Sequence, residues 1–587
     1  MIVNGYYGKA LAEDLSKYFK GRAEDLVETN LIIDSPGLEG VIKDDEKPTI
    51  QLKLDHFPKI EKIENVIPVN KITRTAGMDG ISSETIVRIW PIICDKVNQI
   101  LTSSLKFPKF NQGYYQRTIS KSATKRPTVR EDMRPIGINN PLPKYAMSKF
   151  VFTKIREHLT TLFKSRNILT YKGCTLAIIL TLDTALIQIS LGFFVIIQKF
   201  DFSNAFGTLF LPRLMAVLKQ LNLCDNTLEF VQDYFTNQAL CQTVINDGKH
   251  GIHISDPVLM IKGGPQGQCG MDVAFTVQQL ALSPGEDMER FPYMDDLNDI
   301  TKNSRTPKEA IDKSKSNESR LKEQSTRVGF ALNASKTTYI PVNVTKQEVI
   351  DIGKIDAKYV LTKTGILGFN FRIENSGFDV MPAANDIIQS MHSNYDTIRQ
   401  SQYYVENHLD RCIIARRIVY SFLGKISLIY AYGFKQTRNE AFDKVQVAVN
   451  HLFRATGLRS STPQRLLDKC FGTSLENFAT QCVIIDGFKL VEHLNLTEIY
   501  DRNNRIRRRG VFAVADTFAE FFAIKFNGLD SDKRNKLVDT DKKITTQKHK
   551  LESMKNYLKS LRKLDFDESI HANYFWISLG NDNNDNP

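Results

Sequence analysis

Residues 193–206 read FFVIIQKFDFSNAF, and residues 291–300 read FPYMDDLNDI. The first is a short apolar run that ends in a carboxylate, which predicts a buried strand delivering Asp201 to a sheet end. The second sets Asp295 and Asp296 side by side between apolar residues, which predicts a hairpin with two carboxylates at its tip. Adjacent carboxylates repel unless a cation stands near them. Between these segments lies KGGPQGQCGMDVAFT, residues 262–276. Its Gly263-Gly264-Pro265-Gln266-Gly267 core predicts a turn whose backbone can approach a ligand closely, followed by a helix. No Gly-Lys-Ser/Thr follows, so it is not a Walker loop. Each feature alone is ordinary: a strand-end aspartate often caps a helix, and paired aspartates are common in solvated turns. Together they place carboxylates on two strands that can meet. Such a pair can hold two divalent metals that clamp the attacking and leaving oxygens of an in-line phosphoryl transfer. Mg²⁺ takes oxygen ligands and keeps some water, so a few carboxylates plus substrate phosphates suffice.

Outside these motifs the composition is that of an ordinary globular chain. The 587 residues include 78 Lys+Arg against 66 Asp+Glu, a net charge of +12, with 42% hydrophobic and 25% charged residues. This excludes a disordered, collagen-like or coiled-coil protein and leans toward a polyanionic partner. The eight cysteines are scattered without a CxxC pair, so neither a disulfide framework nor a zinc finger is expected. A reducing, intracellular compartment fits that usage. The N-terminal MIVNGYYGKALAEDL has no signal-peptide pattern. Residues 176–197 are apolar enough to suggest a membrane span. Asp183, Gln188 and Gly192 favour instead a helix stopped at Gly192 and then a buried strand, so no membrane partner is expected.

Further organisation follows from local signals. Residues 1–65 hold one helix, LAEDLSKYFKGRAEDLVE, then a polar loop, and resemble an extension with little chemistry. Asp79-Gly80-Ile81 is a turn, and Ser82 or Ser83 caps the next helix. A basic stretch carries Arg117, Lys121, Lys125, Arg126, Arg130 and Arg134, interleaved with Tyr114 and Tyr115. Such a run is a solvated loop or a grip for phosphate. Residues 212–239 read as helices and 240–262 as strands. Thr306-Pro307-Lys308-Glu309 is a capping box. Strands are expected at 337–342 and 366–372, then helices to about 455, and a second helical block from Ser461. Over 502–563 Lys and Arg outnumber Asp and Glu 17 to 7, beginning with Arg505-Ile506-Arg507-Arg508-Arg509. That block is a surface patch, a nucleic-acid contact or a nuclear-import stretch.

The order and spacing of these motifs resemble the palm of a reverse transcriptase. Asp201-Phe202-Ser203-Asn204-Ala205-Phe206 resembles the first carboxylate motif, Gly264-Pro265-Gln266-Gly267 the template- and nucleotide-contacting turn, and Tyr293-Met294-Asp295-Asp296 the xxDD hairpin. Gly329 to Thr337, with Lys336, resembles the family's lysine motif, and Ile366-Leu367-Gly368-Phe369 its primer-grip strand. Gly77-Met78-Asp79-Gly80-Ile81, Lys121, Arg134-Pro135-Ile136 and Lys144 resemble the fingers of non-LTR (LINE-like) retrotransposon enzymes, ahead of intron-type and retron-type relatives. The likeness covers about residues 70–460. It departs at Gly207, where many relatives carry aspartate, at Met294, where non-LTR relatives commonly carry alanine, and at Tyr171-Lys172-Gly173-Cys174.

The resemblance implies an α+β right-hand polymerase with a helical C-terminal region. It divides the chain into an N-terminal extension (1–69), fingers (70–192), palm (193–380), helical thumb (381–460) and a basic helical C-terminal region (461–587). It implies two Mg²⁺ ions, with Mn²⁺ as a substitute, held by Asp201 and Asp295 with the Phe202 carbonyl and support from Asp296. Lys121 and Arg134 would hold the incoming triphosphate, although the same loop offers Lys125 and Arg126. Gly264, Gln266 and Gly267 would line the nucleotide and template pocket. Lys336 would neutralise or protonate the pyrophosphate leaving group. Phe206, five residues after Asp201, falls at the steric gate that favours dNTPs, and as a residue type it is equally a core aromatic. Lys144, Arg505, Arg507, Arg508 and Arg509 would contact nucleic acid. The expected partners are template RNA, a DNA or RNA primer and dNTPs, in the nucleus ahead of the cytoplasm. No nuclease pattern is recognised beside the polymerase motifs, which leaves room for a separate nuclease or other protein partner. The competing expectations are an RNA-dependent RNA polymerase and a catalytically silent, RNA-binding scaffold of the same fold.

Overall fold

The structure is a computed structural model. It describes residues 3–25, 32, 38–54, 56–103, 113–121, 127–168, 173–237, 239–246, 251–260, 262–264, 267, 269–344, 363–374, 377–401, 408–432, 435–458, 464, 474–476, 478–479, 481–483 and 485–486. Helix and strand are mixed throughout. The chain starts with helix α1 (Gly8–Asp25) and, after short 3-10 turns, helix α2 (Ser83–Ser103). The hairpin β1 (Tyr114–Ser120) and β2 (Met133–Ile138) precedes three short helices, α3 (Pro141–Met147), α4 (Thr153–His158) and α5 (Thr160–Ser165). Helix α6 (Cys174–Ser190) leads to β3 (Ile196–Asp201). Helices α7 (Leu211–Lys219) and α8 (Asp225–Asn237) come before β4 (Leu240–Asn246), β5 (Ile252–Ile254) and β6 (Val258–Leu259). Helix α9 (Met271–Gln279), the hairpin β7 (Met288–Tyr293) and β8 (Asp296–Thr301), helix α10 (Pro307–Val328) and β9 (Thr338–Pro341) complete the central stretch. Strands β10 (Lys363–Ile366), β11 (Phe369–Glu374) and β12 (Gly377–Asp379) precede helices α11 (Met381–Ser401), α12 (His408–Ser421), α13 (Leu423–Tyr432) and α14 (Lys435–Arg454).

The chain divides into two compact units, each assembled from separate stretches. The first comprises Met1–Tyr171, Phe200–Leu297 and Asp312–Thr337. Its sheet runs β2-β1-β4-β5, with β6 also on β4. Strands β1 and β2 are antiparallel, with Ile119 opposite Arg134, and β1 runs parallel to β4. A large apolar core includes Phe152, Phe200, Phe275 and Phe330. A smaller one seats Leu11, Leu15 and Phe19 of α1 against Met133 and Ile245. Their i, i+4 spacing puts these side chains on one helix face, which explains why α1 docks there.

The second unit comprises Lys172–Lys199, Asn298–Ile311 and Thr338–Pro587. Here the apolar stretch at 176–197 resolves as expected. Helix α6 ends before Gly192, at φ 84°, and β3 follows. Asp183 is buried within α6, and its Oδ1 accepts a 2.7 Å hydrogen bond from the Tyr432 hydroxyl. No helix among the described residues is long and apolar enough to cross a membrane. The strand expected at 366–372 is instead two strands. Leu367 takes a left-handed φ of 49° and Gly368 one of 77°, so the backbone reverses between β10 and β11. That turn is not legible in the sequence, because leucine rarely adopts positive φ.

Local capping signals hold. Ser82 Oγ accepts the Thr85 N–H at 3.1 Å at the start of α2. Thr306 Oγ1 accepts the Glu309 N–H at 3.1 Å at the start of α10, while Glu309 accepts from the Arg305 N–H at 2.8 Å. Asp201, Asp295 and Asp296 all fall within the first unit.

Candidate active site

Asp201 arrives as the sequence pattern requires. Ile196, Ile197 and Phe200 are fully buried, and the carboxylate follows where β3 runs out. The backbone then turns sharply. Asn204 adopts φ 50°, ψ 44° and starts a 3-10 turn over Ala205–Gly207. The glycine-rich segment docks on that turn: the Gly263 N–H donates to Leu209 O at 2.6 Å, and the Gly264 N–H to Phe206 O at 3.0 Å. A Cβ on Gly263 would sit 2.4 Å from Gly207 O, and Gly263 has φ +72°. Only glycine permits both the close approach and that backbone angle. Gly207 is itself constrained, since a Cβ there would meet Asn204 Nδ2 at 2.1 Å.

The second carboxylate pair sits at a tight hairpin. Met294 bridges β7 and β8 at φ 52°, and its carbonyl accepts from Gln279 Nε2 at 2.5 Å. Asp295 is half-buried, and Asp296 opens β8. Burial raises the Asp295 carboxyl above the ordinary carboxylate range, and the nearby Asp201 charge adds to that rise. Its own backbone amide, Lys336 and Arg134 oppose the rise. A cation placed beside this carboxyl would offset both effects.

The segment after α10 closes over Asp201. The Asn333 N–H donates to Asp201 O at 2.8 Å, and Asn333 Nδ2 donates to Asp201 Oδ2 at 3.3 Å. Lys336 Nζ lies 3.0 Å from the same oxygen. Phe202 packs edge-on and tilted between Phe275 and Phe330, with ring centroids 6.3 Å and 5.0 Å away. Phe206 packs tilted against Phe275, with ring centroids 5.2 Å apart, and against the main core.

These elements surround one cavity of about 170 Å³. Asp201, Phe202, Asp295, Lys336, Lys121, Arg134, Phe206 and Gly264 all line it. Phe206 thus lines the cavity while packing against the main core. Lys121 follows β1, where its N–H donates to Asp132 O at 2.8 Å. Burial lowers its ammonium pKa, and Arg22, Lys336 and Arg134 lower it further. Gly267, Asp296 and Lys144 are not among the lining residues; Lys144 lies 6.0 Å from the centroid of the Tyr145 ring. Gln266, Lys125, Arg126, Arg505, Arg507, Arg508 and Arg509 lie outside the described residues.

The sequence reading missed Phe19 and Arg22, which also line the cavity from α1. The amphipathic pattern of α1 signalled a docking face, yet nothing local said what it docks on. Among the described residues no group of three or more His, Cys, Asp or Glu side chains gathers as a metal site. Asp201 and Asp295 supply oxygen donors only, a set that suits a hard cation whose remaining positions go to water and phosphate.

No protein-family model matches the chain, and no curated protein does. Solved structures give partial likenesses. The telomerase of Candida albicans, in complex with a TWJ fragment of telomeric RNA, is 13% identical over 68% of this chain and 66% of its own, at a TM-score of 0.26. The telomerase of Candida tropicalis in the same kind of complex is 11% identical over 69% and 71%, at 0.29. An apo form from Candida tropicalis, truncated from the C-terminal domain, is 17% identical over 52% and 63%, at 0.27.

Proposed function

We propose that the chain is an RNA-directed DNA polymerase of the reverse-transcriptase kind, a nucleotidyltransferase that extends a primer 3′-hydroxyl with dNTPs on an RNA template. The supporting observation is the convergence on one cavity of Asp201 and Asp295 with Lys121, Arg134 and Lys336. Two carboxylates beside several cations suit a substrate that brings both metal ions and a polyphosphate. In this reading the palm lies around β3 and the β7–β8 hairpin, the fingers around β1–β2, and the thumb in α11–α14. The polymerase motifs favour the non-LTR retrotransposon subfamily.

Asp201 and Asp295, with the Phe202 carbonyl and Asp296, are the residues that would hold two Mg²⁺ ions. When bound, Mg²⁺ supplies Lewis-acid activation of the 3′-hydroxyl and neutralises charge on the leaving phosphates. Lys121 and Arg134 orient the triphosphate in line with the attacking hydroxyl. Lys336 neutralises charge or delivers a proton at the pyrophosphate oxygen. Phe206, braced by Phe275, presents its ring where a 2′-hydroxyl would need space, which selects dNTPs over rNTPs.

Primer extension on an RNA template in Mg²⁺ tests the reading. Wild type is expected to incorporate dNTPs well ahead of rNTPs. The Asp295→Ala variant is expected to lose about 1,000-fold or more, the several kcal/mol that a metal-clamped transition state supplies. Preferential rNTP incorporation would assign an RNA polymerase instead. RNA binding without synthesis by either protein would assign a silent scaffold.

A further inference from the structure

Helix α1 is built into the cavity wall by several independent anchors. Its apolar face buries Leu11, Leu15 and Phe19 against Met133 and Ile245. Asp14 takes two hydrogen bonds from the Arg130 guanidinium, at 2.8 and 2.6 Å, and Arg130 also lies 5.8 Å from the Tyr18 ring centroid. A paired, planar guanidinium of this kind fixes orientation as well as contact. Glu13 accepts the Asp256 N–H at 2.7 Å. At the far end the buried Lys262 donates to Glu24 O at 3.1 Å, which satisfies a helix-terminal carbonyl. The last turn of α1 is therefore held in place, and Arg22 sits on it.

Arg22 lines the same cavity as Asp201, Asp295, Lys121, Arg134 and Lys336. Four cations thus face two carboxylates in a space of about 170 Å³. Cations converging on one cleft suit a polyanion. The crowding has an electrostatic cost: among the charges acting on Lys121, Arg22 has the largest effect, and it weakens the protonated ammonium. Cations brought together at such a cost are relieved by a multiply charged anion. A guanidinium offers a planar fork that matches phosphate oxygens.

We propose that Arg22, supplied by the N-terminal helix, is a direct ligand for the polyphosphate chain of the incoming nucleotide and of the pyrophosphate product. The proposal rests on the polymerase reading for the nucleotide, and on the cavity geometry alone for the polyphosphate. It makes the N-terminal segment part of the substrate site.

The test uses the full chain and inorganic tripolyphosphate as the probe, with binding followed by titration calorimetry. The variants are Arg22→Ala, Arg22→Lys and, as a control on the exposed part of the same helix, Lys9→Ala. Arg22→Ala is expected to weaken binding about 10-fold, in line with loss of a charged hydrogen-bonding partner. Arg22→Lys should recover part of that loss, and Lys9→Ala should match wild type. In dNTP kinetics Arg22→Ala should raise KM about 10-fold with kcat changed by less than about 3-fold, since the loss falls on binding. Unchanged tripolyphosphate affinity in a folded Arg22→Ala protein overturns the proposal, as does an equal loss in Lys9→Ala. Selective loss of single-stranded RNA binding would instead assign Arg22 to the template backbone and also overturn it. Should Arg22→Ala fail to fold, the isosteric-length Arg22→Gln and Arg22→Lys pair carries the same comparison: equal affinities in those two overturn it. A wild type that binds tripolyphosphate through Arg22 but does not polymerise refutes the polymerase reading alone. A wild type that polymerises while Arg22 variants match it refutes the Arg22 proposal alone.

Discussion

The cavity has two walls built on opposite plans. The acidic wall, β3 and the β7–β8 hairpin, is fixed by backbone hydrogen bonds. Asp201 O accepts from the Asn333 N–H at 2.8 Å, Ala331 O from the Ser203 N–H at 2.8 Å, and Leu209 O from the Gly263 N–H at 2.6 Å. The basic wall, β1–β2 with α1, presents long side chains from a hairpin and a docked helix. Lys336, from the segment that also supplies Asn333, reaches Asp201 on a side chain that is 65% exposed. The difference matches the chemistry each wall is assigned. Under the polymerase reading, carboxylates that hold metal would need positions fixed to a fraction of an ångström, whereas cations on flexible stems could follow a polyphosphate as it becomes a leaving group.

The largest test of this contrast is Asp201→Ala. Loss of the central carboxylate should remove about 1,000-fold or more of dNTP incorporation. A loss no greater than that of a basic-wall variant would abolish the distinction. Next comes the scaffold of the acidic wall. Gly263→Ala places a Cβ against Gly207 O at positive φ and should destabilise the protein by about 3 kcal/mol. Urea unfolding measures it, and a midpoint equal to wild type would show that the docked turn yields easily. On the basic wall Arg134→Ala should raise the dNTP KM about 10-fold while leaving the urea midpoint almost unchanged. A large drop in stability there would mean that Arg134 holds the fold together. Phe206→Ala lies between the walls. It should improve the use of rNTPs relative to dNTPs by about 10-fold, and an unchanged ratio would return Phe206 to a purely packing role.

The smallest effect concerns pH. The folded state holds the Asp295 proton more tightly than the unfolded chain does, because burial and the Asp201 charge both disfavour the carboxylate. Stability from this group therefore falls as pH rises through the carboxylate range and stays lower above it. In EDTA, Asp295→Asn should melt higher than wild type at neutral pH, with the gap closing as the solution is acidified. A gap that widens toward acid would reverse the assigned cause.

The parts of the fold that followed from the amino acids alone are those governed by a few neighbouring residues. An apolar run ending in Asp201 makes a strand, Ser82 and Thr306 cap helices, and Gly192 stops α6. Each depends on backbone preferences that act over a turn or two. The turn at Leu367-Gly368 escaped, since the leucine takes an angle its side chain normally resists.

The composition of the basic wall could not be reached in the same way. The sequence does not bring Lys121 to the carboxylates; the fold sets it in the cavity that Asp201 and Asp295 line. Arg22 stands about 180 residues before Asp201, in a segment with no chemical motif, and reaches the site because Leu11, Leu15 and Phe19 bury against Met133 and Ile245. Local residues determine where a carboxylate leaves a strand. Long-range packing determines which charges meet it, because a charge has no periodicity of its own and goes where the apolar face of its element is buried.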